Sequence, residues 1–261
     1  MQPAISTACL YPMLLEKSFS TLVSMGFRTF EVFINTFSEL QPDYLKTMKK
    51  AAEESGSTFY SVHPFTSGYE NLLLFSEYER RFTDSLEFYK NYMNACRILG
   101  AHILVLHGRR SDKPSISDEE FFERYLRLYD LGSEFGVMVA QENVSKFCSE
   151  TPAFIRKMRA ACGMRCAFVL DVKQAVRAGQ DPCEMCDAMG SRIRQVHLND
   201  HDAKSDCRLP GAGAMDYPRL IAQLKRYGYN GCLTIEVYRK SFGKLEELLA
   251  AKDVVSKLSN L

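Results

Sequence analysis

Eight short apolar runs recur along the chain, each separated from the next by a longer stretch with a helical period. This alternation restricts the fold more than any other feature of the sequence. The runs are AISTAC (4–9), TFEVFI (29–34), FYSVH (59–63), HILVLH (102–107), VMVAQEN (137–143), CAFVLD (166–171), IRQVHL (193–198) and CLTIEVY (232–238). Most are near-continuously apolar, as strands buried on both faces of a parallel sheet should be. Such strands alternating with helices make either an open doubly wound sheet or a closed barrel. No glycine-rich dinucleotide loop follows the first run, which weighs against the open sheet. A length of 261 residues also suits a (β/α)8 barrel, which typically takes about 250. The expectation is an α/β fold, one TIM barrel forming a single domain over residues 1–261.

The intervening segments carry helix punctuation. Ser117 and Glu120 read as a capping box, with Ile116 and Phe121 spaced for a hydrophobic staple. Pro42 suits a first turn and Gly56 the stop of the same helix. Asp181, Pro182 and Glu184 open another helix that Gly190 closes. In the longest helical pattern Phe75, Tyr78, Phe82, Leu86, Met93 and Cys96 share one face, predicted to pack on the barrel. No low-complexity linker interrupts the alternation.

Charge and cysteine content narrow the function. A net charge of +1 leaves no electrostatic footprint for nucleic acid or anionic lipid. The opening MQPAISTACLYPM does not read as a signal peptide, and no apolar run approaches the roughly 20 residues of a membrane-spanning helix. Nine scattered cysteines fit a reducing compartment. A soluble, cytoplasmic protein is expected.

The chemistry lies in how the runs finish: His63, His107, Glu142, Asp171, His197 and Glu236 stand at or near the ends of six of them. Each can bind a metal or move a proton, and burying such groups is costly unless they are paired or metal-bound. A lone buried histidine is more often hydrogen-bonded than metal-bound. In a parallel barrel, however, all strand carboxyl ends open on one face, where barrel enzymes build their sites. Six candidate ligands would therefore converge, three of them drawn from only five histidines in the chain.

These residues lie in stretches that resemble a known family. SVHPF (61–65), LVLHGR (104–109), QENV (141–144), FVLDVKQAVRAG (168–179), VHLND (196–200), RLPGAGAMDY (208–217) and LTIEV (233–237) are similar, in order, to the xylose-isomerase-like, or AP-endonuclease-family-2, barrels. Within that superfamily the chain looks most like the sugar phosphate isomerase/epimerases. The resemblance implies one divalent ion held by Glu142, Asp171, His197 and Glu236, an oxygen-rich set suited to Mn²⁺, with Zn²⁺, Co²⁺ or Mg²⁺ as alternatives. It further implies Glu142 and Glu236 as the acid–base pair acting on a sugar, with His63, His107, Gln174 and Arg208 as substrate contacts. Implied with it is a small-molecule sugar partner and no nucleic acid or membrane.

The pattern departs from many family members at Gln174, where a histidine usually follows the metal aspartate, and at Arg208, where the endonucleases use histidine. Both departures count against abasic-site cleavage. A lyase acting on a keto-sugar, keto-inositol or 3-keto-glycoside would use the same residues and is the alternative reading, with a noncatalytic sugar-binding barrel behind it. Lys173, beside Gln174, could supply charge to the site but reads rather as a solvated lysine.

Other features carry less. Cys183-x-x-Cys186 falls inside a capped helix, and Cys162-x3-Cys166 lacks the spacing of a common zinc site. Arg109 and Arg110 could reach a substrate phosphate or form a solvated rim pair. Gly211-Ala212-Gly213 reads as a turn. Glu31 either points into the pocket or pairs with a lysine.

Overall fold

A computed structural model describes residues 1–260. Eight parallel strands close into a barrel: β1 (Gln2–Ser6), β2 (Thr29–Phe33), β3 (Thr58–His63), β4 (Ile103–Leu106), β5 (Met138–Glu142), β6 (Ala167–Asp171), β7 (Ile193–Leu198) and β8 (Cys232–Ile235). Each strand pairs with its neighbours in sequence, and Ala4 opposite Thr234 closes the circle between β1 and β8. The main helices are α1 (Leu15–Ser24), α2 (Pro42–Glu54), α3 (Glu79–Leu99), α4 (Asp118–Glu134), α5 (Pro152–Cys162), α6 (Pro182–Met189), α7 (Tyr217–Arg226) and α8 (Glu247–Asn260). The expected (β/α)8 barrel is therefore present. No described helix is long and apolar enough to cross a membrane.

Several boundaries differ from the sequence reading for local reasons. β1 stops at Ser6 rather than residue 9, because the Ser6 hydroxyl accepts the Ala8 amide and opens a 3-10 turn over Thr7–Leu10. Ser117 caps α4 by accepting the Glu120 amide, but the Glu120 carboxylate turns to Arg124 instead of completing a capping box. α3 begins after Tyr78, which is exposed, so Tyr78 does not join the buried face made by Phe82, Met93 and Cys96. Phe75 is buried before the helix starts, packed on Phe121 with ring centroids 4.6 Å apart. Pro42 and Asp181 open their helices as expected. Gly190 closes α6 at φ +56°, where a Cβ would lie 2.5 Å from the Arg159 guanidinium.

Two apolar layers follow from side-chain alternation along the strands. Outward residues such as Leu104, Leu106, Phe168, Leu170, Val196, Leu198, Leu233 and Ile235 join the large core under the helices. Inward residues Ile103, Val105, Ala140, Ala167 and Val169 form a separate plug in the lumen. Above that plug the same inward rows continue with polar residues. Two register irregularities tune them: one between Phe30 and Glu31 against β3, the other between Phe168 and Val169 against β7. Each sets an additional residue into the partner strand, and beyond the irregularities Ser61 and Gln195 both donate to Glu31.

All nine cysteines are free and buried. Burial pushes the Cys183 thiol up to about 11 and Cys186 to about 12, which makes them inert packing residues rather than ligands.

Candidate metal centre

The inward rows deliver the site. Asp171 stands two residues beyond Val169, Glu142 beyond Ala140, His197 beyond Gln195, Glu236 beyond Thr234, His107 beyond Val105 and His63 beyond Ser61. Because side chains repeat with period 2, each continues its strand's lumen row into the barrel mouth. The convergence expected from sequence is real. His197 Nδ1 lies 3.6 Å from each of Glu142 Oε1, Asp171 Oδ2 and Glu236 Oε2.

The other ring nitrogen settles the role of Glu31. His197 Nε2 is 3.0 Å from Glu31 Oε2, and a carboxylate can only accept, so Nε2 donates and Nδ1 faces the three carboxylates. Glu31 is fully buried and also accepts from Ser61 and Gln195, so it points into the barrel lumen behind His197 rather than toward a lysine. His197 Nδ1 is buried without a hydrogen-bond partner, and Asp171 Oδ2 has only the Lys173 ammonium beside it, 3.2 Å away. An unpaired buried ring nitrogen facing three carboxylate oxygens calls for an ion. Metal–ligand bonds of about 2.0–2.2 Å opened at a tetrahedral angle place donors ~3.4 Å apart, close to the spacing seen. The residues present fit a divalent metal.

Burial disfavours a charged His197, but the carboxylates of Glu31 and Glu236, with those of Asp171 and Glu142 close by, outweigh it and hold the ring well above the usual histidine value. A proton therefore sits where a cation would bind. Metal uptake is expected to release it, so affinity for a divalent ion rises as pH rises through the neutral range. In the metal-free protein the charged ring stabilises the fold. That contribution is complete below the unfolded-state histidine pKa and is lost as pH rises through the raised folded one. Calorimetric titrations in buffers of different ionisation enthalpy, alongside melting curves of stripped protein, would record both trends.

Glu142 also belongs to a second group. Its Oε2 lies 3.0 Å from His107 Nε2 and 3.7 Å from His63 Nε2, and the two rings meet at 3.1 Å. Burial pushes the Glu142 carboxyl upward, but His107, His197 and His63 reverse this and hold it well below the usual range. Behind His107, the buried Glu70 carboxyl accepts the amides of His107 (2.7 Å) and Gly108 (2.6 Å) and the Tyr89 hydroxyl, fixing the end of β4. Burial pushes Glu70 up to about 8 despite these donors. Asn143 pins Asp171 from the side, accepting its amide at 2.8 Å and donating to its carbonyl at 2.9 Å.

Two expectations from sequence need correction, and a third is narrowed. Lys173 is not solvated: it is 3% exposed, with Nζ 2.5 Å from Glu236 Oε2 and 3.2 Å from Asp171 Oδ2. Arg109 is no rim residue, being buried and paired with Asp118 while it donates to the Ile116 carbonyl. Arg110 does stay at the rim, partly exposed, held by Asp112 and standing over the Phe147 ring.

Two expected substrate contacts lie outside the cluster. Gln174 accepts the Ser145 amide through its side-chain oxygen. Arg208 sits on the hairpin formed by Asp200–Asp202 and Ser205–Arg208, paired with Asp202 at 2.6 Å. It lines an outer groove separated from the mouth cavity by Tyr238, which borders both. The mouth cavity, about 370 Å³, has apolar walls from Phe33, Phe65 and Val237 and reaches Glu236 and Lys173. The glycine turn after the hairpin wraps the buried Asp200 carboxylate, which accepts the amides of Gly211, Gly213 and Met215.

Glu31 and Lys173 are the residues whose part sequence reasoning did not assign. The signal for Glu31 was a charge inside an otherwise apolar strand; for Lys173 there was none. Glu31→Gln is expected to weaken divalent-metal binding by about 10–100-fold, the usual cost of losing a partner that orients a ligating histidine. Titration of stripped protein with Mn²⁺ checks this, with melting curves to verify folding.

A family model described as xylose isomerase-like TIM barrel matches residues 19–258. Among curated proteins, the rhizopine catabolism protein MocC of Rhizobium meliloti is 26% identical over 191 residues, covering 61% of this chain and 59% of that protein, so the match spans under two thirds of that relative. Fructoselysine 3-epimerase of Escherichia coli O157:H7 is 22% identical over 236 residues and 85% of each chain. Among solved structures, the IOLI protein with a binding zinc atom superposes with a TM-score of 0.79 at 19% identity, covering 100% of both chains, a likeness of fold.

Proposed function

The chain belongs to the xylose isomerase-like TIM barrel family, and on that premise we propose that it is a divalent-metal-dependent sugar or sugar-phosphate isomerase/epimerase. The observation that carries the reading is His197 Nδ1, buried without a partner and equidistant from three carboxylates. The name of the fructoselysine 3-epimerase relative supports the reaction class, and that of the zinc-bearing structural neighbour supports the metal.

Glu142, Asp171, His197 and Glu236 would hold the ion. When bound, it polarises a sugar carbonyl and thereby acidifies the neighbouring C–H. Glu142 and Glu236 come from β5 and β8, which β6 and β7 separate in the barrel, so they approach the substrate from different directions. One takes the proton and the other returns one to the opposite face, as epimerisation requires. His63 and His107 hold Glu142 ionised and offer donors to sugar hydroxyls. The apolar cavity walls exclude water while the carbanion lives. In this reading Arg208 is reached only by a substrate that extends past Tyr238 into the outer groove, and Gln174 stands outside the cavity, bonded to the Ser145 amide. Residues 1–261 act as one barrel domain, Mn²⁺ is the favoured ion with Zn²⁺, Co²⁺ or Mg²⁺ as substitutes, and the nine thiols suit the cytoplasm.

The test is a panel of ketoses, ketose phosphates and keto-inositols incubated with Mn²⁺-loaded protein in D2O. The expected result is solvent deuterium at the carbon beside the carbonyl, with formula otherwise unchanged. A product that has lost water or an aglycone would make the protein a lyase and overturn the isomerase assignment.

A further inference from the structure

Lys173 is a buried ammonium placed where a metal site would not ordinarily have one. Its Nζ touches two of the four candidate ligands, Glu236 and Asp171, and stands 5.1 Å from the centroid of the Tyr238 ring. It also lines the mouth cavity beside Glu236, so it lies between the ligand cluster and the space a substrate would enter. The side chain comes from the short helix Val172–Arg177, whose first turn is tied down by Asp171 accepting the Gln174 amide at 2.9 Å. The ammonium is thus held in place by the backbone that also presents Asp171.

Charge accounting shows what it does there. Three carboxylates, a neutral imidazole and a divalent cation together carry one net negative charge, with Glu31 adding another behind the imidazole. Drawing a proton from carbon puts a further negative charge on the substrate in the same low-dielectric site. Neighbouring unit charges a few ångströms apart interact strongly there, even at an effective dielectric of about 20.

We propose that Lys173 is a charge-compensating residue that weakens the site's hold on the metal and strengthens its hold on the anionic form of the substrate. It rests on the reading of the metal site given above. Removing the ammonium takes away a cation that competes for Glu236 and Asp171, so metal binds more tightly. The same removal leaves the oxyanion facing uncompensated carboxylates, so an anion binds less tightly. A residue that merely supported the fold would shift both constants in the same direction.

The experiment uses full-length wild type, Lys173→Met, Lys173→Gln and the charge-retaining Lys173→Arg, each stripped of metal and checked by melting curve. Mn²⁺ affinity is measured first. Oxalate affinity for the Mn²⁺-loaded protein follows, because oxalate presents two oxygens across one carbon–carbon bond as an enediolate does. Lys173→Met and Lys173→Gln are expected to bind Mn²⁺ at least about tenfold more tightly and oxalate at least about tenfold more weakly, with Lys173→Arg near wild type for oxalate. Unchanged constants in the neutral variants, or both constants weakening together, would overturn the inference while leaving the metal site intact. A wild type that takes up no Mn²⁺ would overturn the site itself, and this inference with it.

Discussion

Glu142→Gln is expected to lower turnover by about three to four orders of magnitude while leaving the barrel folded. The carboxylate is buried, and His107, His197 and His63 keep it ionised against the cost of burial, so it is in the form that accepts a proton. Glutamine keeps the size and one ligating oxygen but cannot accept a proton from carbon. Glu236→Gln should cost a comparable amount, because it occupies the complementary position just beyond β8 and pairs with Lys173. The two variants should differ in a diagnostic way. If each glutamate serves one face of the sugar, each variant stops epimerisation yet still exchanges the C–H proton of one epimer with solvent. Proton NMR of each epimer incubated in D2O reads this directly. Turnover within tenfold of wild type in both variants would remove the glutamates from the mechanism.

Asp171→Ala is expected to reduce divalent-metal affinity by about a thousandfold or more, beyond the 10–100-fold typical of an outer partner, and to abolish activity at ordinary metal concentrations. Asp171 Oδ2 is among the ligand atoms around His197 Nδ1, with the Lys173 ammonium 3.2 Å away. Its second oxygen caps the Val172–Arg177 helix by accepting the Gln174 amide. The alanine variant therefore also loses about 1 kcal/mol of capping, partly offset by relief of repulsion among buried carboxylates. Asp171→Asn separates the effects, since asparagine still caps but is a poor ligand for a hard cation. Elemental analysis should show metal depleted in both variants, with the melting temperature lowered more in alanine.

How much of this was legible in the sequence follows from the physics of strands. The barrel and its six polar strand ends could be read because period-2 alternation and apolar runs are local properties, and a parallel barrel sends all strand ends to one face. Glu31 stood out as a charge inside β2, but its partners depend on two register irregularities that move Ser61 and Gln195 onto it, and strand register across neighbours is not a local property. Lys173 looked solvated because lysine usually is. Only the fold shows that the short helix after β6 turns its ammonium inward to Glu236, sixty-three residues away in sequence. The arginines after β4 leave a phosphate contact and a solvated rim pair equally open from sequence, for the same reason. Arg109 is instead recruited by the start of α4, where Asp118 and the Ile116 carbonyl await it.

The most direct test of a metal site built by Glu142, Asp171, His197 and Glu236 is a calorimetric titration of metal-stripped wild-type protein with Mn²⁺. One ion bound per chain, with release of about one proton at neutral pH from a histidine that must deprotonate to ligate, is the outcome this structure calls for. Protein that takes up neither Mn²⁺ nor, in parallel runs, Zn²⁺ or Co²⁺ would contradict it and leave the buried carboxylates paired only with Lys173 and the histidines.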